Sequence, residues 1–121
     1  MKKLLLIEND QDTRDVMGAV LEYNEFEVVE SSKKVSLQEI EAINPSIIII
    51  DHLLDDGFGS DLCMAIKADP HTKNIPVVLC SASYKIEQIA QDNCADAFIA
   101  KPFDLNEFLQ IVNELTLSKS V

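Results

Sequence analysis

The sequence predicts an α/β domain: an open, doubly wound sheet of five parallel strands with helices on both faces. Two observations predict it. Five short apolar segments recur along the chain, most of them continuously apolar, the pattern of strands buried on both faces. Between them, apolar residues recur at helical spacing, so a β-α unit repeats five times. With 121 residues, 47% of them apolar, the chain is long enough for one well-buried core. It shows no internal repeat, low-complexity tract or linker, so one domain over 1–121 is expected.

Each element can be placed in turn. The opening MKKLLLI begins like a secretion signal, but its apolar stretch is short and no cleavage site follows, so 4–7 reads as the first strand. Val16, Val20 and Tyr23 then form one helical stripe, with Met17 and Leu21 beside it. Residues 26–29 are the second strand. A short helix carrying Leu37 and Ile40 follows, opened by the capping box Ser36-Leu37-Gln38-Glu39. The four isoleucines at 47–50 are the third strand, and Leu62, Ala65 and Ile66 mark the third helix. Residues 77–80 and 97–99 are the last strands, separated by a helix with Ile86, Ile89 and Ala90. Asp104 caps the fifth helix, whose inner face is Leu105, Phe108, Leu109 and Val112.

Composition narrows the function. Ten basic against 21 acidic residues give a net charge of −11, which disfavours direct binding to nucleic acid or anionic lipid. The longest apolar run, 47–50, is far short of a membrane span. Cys63, Cys80 and Cys94 are odd in number and lack metal-ligand spacing, which suits reduced thiols in the cytoplasm. The chain stops soon after its fifth helix, at Ser120-Val121, so no output domain is expected within it.

In a parallel sheet, ligands bind beyond the carboxyl ends of the strands, and each tip can be read off. The first ends in Glu8-Asn9-Asp10, the third in Asp51, the fourth in Ser81, and the fifth just before Lys101. Any one of these alone would pass as a turn residue or a cap; together they set acids, a hydroxyl and an amine along one edge. Clustered carboxylates repel unless a cation sits among them, and a hard divalent ion such as Mg²⁺ suits oxygen ligands. A carboxylate flanked by Mg²⁺, an ammonium and a hydroxyl suits in-line attack on a phosphoryl group. His52 adjoins Asp51, but strand alternation sends it to the other face, where packing is expected.

The stretches KKLLLIENDQDTR, PSIIIIDHLLDDGFG, DPHTKNIPVVLCSAS and ADAFIAKPF together resemble the receiver domain of two-component response regulators, in its single-domain, chemotaxis-like form. The resemblance implies a flavodoxin-like strand order, 2-1-3-4-5, and Asp51 as phosphoacceptor with Mg²⁺. It implies that Lys101 contacts the phosphoryl group and that the Lys101-Pro102 bond is cis. Ser81 would be the switch hydroxyl and Phe98 the aromatic that turns with it. Glu8 and Asn9 fall on the family's acidic pair, and Leu53 would offer a main-chain carbonyl to the metal. The implied partners are a histidine kinase or phosphotransfer protein and a downstream target on the face of the fourth helix, fifth strand and fifth helix.

Two departures matter. The second acid of the pair, usually the direct metal ligand, is Asn9, which should weaken Mg²⁺ binding. Asp55 stands where a proline is common, which should loosen the loop, with Gly57 and Gly59 permitting the turn. A receiver fold that signals without phosphate is therefore a second reading. A phosphohydrolase of the haloacid-dehalogenase type is a third, but it wants an acid two residues past the nucleophile, where Leu53 stands. An FMN-binding relative fits less well, since the first loop is acidic rather than phosphate-cradling.

Overall fold

Continuously apolar strands need cover on both faces, and the computed structural model, which describes residues 1–117, provides it. The strands are β1 (Lys2–Ile7), β2 (Phe26–Ser31), β3 (Ile47–Asp51), β4 (Val77–Ser81) and β5 (Ala97–Ala100). All pair in parallel, in the order β2-β1-β3-β4-β5. The helices are α1 (Gln11–Tyr23), α2 (Leu37–Ile43), α3 (Gly59–Ala68), α4 (Ile86–Asp92) and α5 (Leu105–Leu117).

Strand alternation divides the core in two. Ile48 and Ile50 pack with Ile40, Leu62, Ile66 and Ile86, under α2, α3 and α4. Ile47 and Ile49 pack with Met17, Leu21, Phe108 and Val112, under α1 and α5. Every residue of β3 is buried. The capping signals hold: Ser36 Oγ accepts from Glu39 N at 3.1 Å, and Asp104 Oδ1 accepts from Asn106 N at 2.6 Å.

The stripe expected on α1 is corrected. Met17, Gly18 and Leu21 face the core, whereas Val16 and Tyr23 are exposed. Gly18 leaves room for the Glu30 carboxylate, whose Oε2 would lie 2.9 Å from a Cβ there. Val16 instead lines a groove with Pro102, Phe103 and Leu105, so α1 carries more apolar surface than the core needs. Leu105 likewise stands half out of the inner face assigned to it, which Phe108 and Val112 fill.

The connection after β3 is also tighter than expected. Leu53–Leu54 and Gly57–Phe58 pair as a small antiparallel hairpin with Asp55 and Asp56 at its turn. Lys34 N, in the β2–α2 loop, donates to both carboxylate oxygens of Asp56 at 3.2 Å and pins the turn. Where a proline would have stiffened the loop, pairing and this anchor do so. Gly57 takes φ +138°, which side chains avoid. Gly59 N then donates to His52 O at 2.6 Å, so the chain enters α3 pressed against the end of β3.

That contact has no room for a side chain. A Cβ built on Gly59 overlaps the carbonyl oxygen of Asp51 and lies 2.5 Å from Ile50 Cγ2. Gly59→Ala should therefore destabilise the fold by about 3 kcal/mol, at the upper end of overpacking effects. Chemical denaturation of the two proteins measures this directly.

Candidate functional site

The alternation that splits the core also decides which side chains meet at the rim. Leu4 and Leu6, Ile47 and Ile49, and Ile99 all point toward α1 and α5. The next residues in the same phase are Glu8, Asp51 and Lys101. The structure brings these three together: Lys101 Nζ lies 2.7 Å from Glu8 Oε1 and 3.5 Å from Asp51 Oδ2. Both carboxylates are almost fully buried, at 1% and 7% exposure. The second oxygen of Glu8 accepts from Asp10 N at 3.1 Å.

Two buried acids thus share one ammonium, and the electrostatics follow. Burial, then the hydrogen bond and charge of Glu8, push the Asp51 carboxyl up to about 7, against the pull of Lys101. Burial disfavours the Lys101 ammonium, but Glu8 and Asp51 outweigh it and raise its pKa. Asp10 points elsewhere: it caps α1, and bonds from the Thr13 hydroxyl and backbone N–H hold its pKa low.

Around Asp51 lies an open cavity lined by Asn9, His52, Leu53, Ser81, Ala82, Ser83 and Lys101. Among the described residues, no three His, Cys, Asp or Glu side chains gather into a metal-binding group. A cation here would therefore draw on neutral oxygens beside the carboxylates, and the Asn9 amide and the Leu53 carbonyl belong to residues lining the same cavity. The surplus of buried negative charge over Lys101 fits a hard divalent cation. The Asn9 amide is not idle: its Nδ2 donates to Asp55 Oδ1 at 3.4 Å.

Ser81 and Phe98 fall on the opposite phase. Ser81 is buried and its Oγ accepts from Ser83 N at 3.0 Å. Phe98 is half-buried, packs against the α2, α3 and α4 side of the core, and lines a groove with Glu87, Ala90, Gln91 and Ile111. The Lys101-Pro102 peptide is cis. His52 stacks on Phe58, with ring centroids 5.2 Å apart, and its buried Nδ1 has no hydrogen-bond partner among the described residues. Tyr84 lies in the loop before α4 and is exposed.

Sequence reasoning missed two groups. Arg14 donates from Nη1 to the Glu8 carbonyl at 2.7 Å while Nε approaches Glu30 at 3.5 Å, bracing the first strand tip from α1. Asp55 reaches Asn9 across 46 residues of sequence. Neither had a local signal; only the fold brings them to the site.

A five-stranded parallel sheet with an acid-and-lysine cluster at its carboxyl edge defines a flavodoxin-like α/β domain. Comparison with known proteins narrows that class. Residues 4–113 match the family of response regulator receiver domains, and the chain belongs to that family. It is a receiver domain of two-component signalling. It is 33% identical, over 93% of its length, to histidine kinase P4 of Formosa agariphila, of which it spans 8%. It is 29% identical to the DNA-binding dual master transcriptional regulator RpaA of Synechocystis, covering 95% of this chain and 49% of that one. The chain therefore spans about half or less of these relatives' length. The receiver domain of sensor histidine kinase PA1611 from Pseudomonas aeruginosa, solved with magnesium in its active-site cleft, superposes with a TM-score of 0.85 at 19% identity. That likeness covers 95% of this chain and 97% of the other. No described helix is long and apolar enough to cross a membrane.

The raised Asp51 pKa has a consequence for stability. The folded protein holds a proton that the unfolded chain releases near 3.8, so the fold binds more protons between about 4 and 7. This contribution is full below pH 4 and is lost as pH rises to 7. In metal-free buffer at pH 8, Asp51→Asn should stabilise the protein by about 1–2 kcal/mol, and the gain should shrink toward pH 4. Urea denaturation across that range reads both.

Proposed function

We propose that the domain accepts a phosphoryl group on Asp51 from the phosphohistidine of a histidine kinase or phosphotransfer protein. The observation that carries this reading is the buried cluster itself: Lys101 Nζ within 2.7 Å of Glu8 and 3.5 Å of Asp51, at the edge of an open cavity. An Asp51 carboxylate oxygen forms the new P–O bond as the donor's P–N bond breaks, and the histidine departs with the electron pair. Lys101 is placed to hold charge on the transferred group. Asp51, the Asn9 amide oxygen and the Leu53 main-chain carbonyl would hold Mg²⁺, with Glu8 behind them, and the ion would supply the remaining neutralising charge.

The phosphorylated state carries a dianion where Asp51 had one charge at most. Ser81, whose hydroxyl now accepts from Ser83 N, would donate to it and move toward it. Phe98, on the same phase of the sheet, would turn into the space left behind and reshape the groove against α4 and α5. That face is the docking site for the downstream target.

A second reading, an interaction module that works without phosphate, is favoured by one observation: Asn9 in place of an acid. Incubation with acetyl phosphate and Mg²⁺ separates the two. The intact mass should rise by one phosphoryl group in the wild type and stay unchanged in Asp51→Asn. No adduct, together with no spectral change on adding beryllofluoride, would leave only the phosphate-independent module. Asn9→Asp should bind Mg²⁺ about tenfold tighter by calorimetry, since it adds a full charge at the ion.

A further inference from the structure

Asn9 has two unlike ends, and its neighbour fixes which end faces which way. A carboxylate can only accept, so the bond to Asp55 Oδ1 must come from the amide nitrogen, Nδ2. Asn9 also lines the cavity that holds Asp51, Leu53 and Lys101. With its nitrogen committed to Asp55, the oxygen is the end left for a cation. Asp55 is not placed by chance, because its turn is held by Asp56 on Lys34 N and by pairing of Leu54 with Gly57. Glu8 cannot supply the missing charge more directly, since both its oxygens are taken by Lys101 and Asp10 N.

We propose that Asn9 and Asp55 together stand in for a single acid: the amide oxygen is the ligand, and Asp55 is the positioning residue that orients it and restores the negative charge. This rests on the ion-binding reading above. It explains how a site with an amide at this position can remain a cation site. It also explains why Asp55, on the same hairpin as Leu53 but outside any three-acid group among the described residues, belongs to the site. The pair divides between two strand-end loops, β1–α1 and β3–α3, what one side chain would do alone. Ion affinity thereby depends on the hairpin holding Asp55 beside Asn9.

The test is Mg²⁺ affinity of the whole chain, measured by calorimetry and by competition with Mn²⁺ followed by electron paramagnetic resonance. Asp55→Asn keeps an acceptor for Nδ2 but removes the charge, and should weaken binding about fivefold, as an exposed charge near a divalent ion would. Asp55→Ala should weaken it further, and Asp55→Glu should restore most of it. In the Asn9→Asp background the Asp55→Asn step should change affinity less than twofold, because the carboxylate at position 9 needs neither orientation nor added charge. Denaturation midpoints without Mg²⁺ should match for wild type and Asp55→Asn.

Equal affinity in wild type and Asp55→Asn, with Asn9→Asp still tighter, would overturn the role of Asp55 and leave the ion site standing. A loss of stability in metal-free Asp55→Asn that accounts for its weaker binding would make Asp55 a hairpin residue, and would also overturn it. Absence of Mg²⁺ binding in the wild type would remove the ion-binding reading itself.

Discussion

Two carboxylates buried beside one ammonium form the constraint on which this molecule turns. Unit charges 4 Å apart interact by ~4 kcal/mol at an effective dielectric of ~20, so the rim of the sheet cannot hold Glu8 and Asp51 both ionised at no cost. The chain resolves this unevenly. Glu8 takes the short bond to Lys101 and the Asp10 amide, while Asp51 keeps the longer contact and a raised pKa. The group with the less settled charge is the one facing the open cavity. A carboxylate so placed gains from any positive or charge-accepting visitor, which is the property a phosphoacceptor needs.

That imbalance can be sustained only on a rigid support. β3, apolar up to Asp51, lies between β1 and β4, with side chains filling both faces. Gly59 closes the other side of Asp51 by bringing the start of α3 against its backbone. Asp51 cannot relax outward to water without breaking this packing, so its discomfort is maintained by the core. The opposite end of the sheet is tied by Lys67, which meets Asp96 at 2.6 Å and Ile75 O at 2.7 Å, while Asp96 accepts from Val77 N. The two strands that carry Ser81 and Phe98 are thereby tied together at their starts.

Most of this was legible in the sequence because one rule acts twice. Runs such as LLLI and IIII announce strands, and the parity within each run announces which tip residues share a face. Glu8, Asp51, Ser81 and Lys101 could be read off as strand tips, whereas Phe98 was singled out by the family resemblance alone. Where reading failed, the failing elements owe their form to distant partners. The apolar stripe of α1 was misplaced because Val16 serves a surface groove and Gly18 accommodates Glu30 from the next strand. The stiff hairpin after β3 was invisible because its anchor is Lys34, and Asp55 because its partner is Asn9. Periodicity reports what each element does with its own neighbours, not such cross-loop contacts.

The amide at position 9 bears on the charge balance of this cluster. A second acid beside Asp51 would add repulsion to a cluster that has a single ammonium, and the metal-free fold would bear it. An amide removes that repulsion at its source. If charge is supplied instead from Asp55, at an exposed hairpin turn, solvent screens it when no cation is present, while it still acts on an ion in the cavity. A charge on the solvated margin costs the resting cluster less than one buried within it. With an amide at position 9, Lys101 has two buried carboxylates to hold rather than a cluster of three acids.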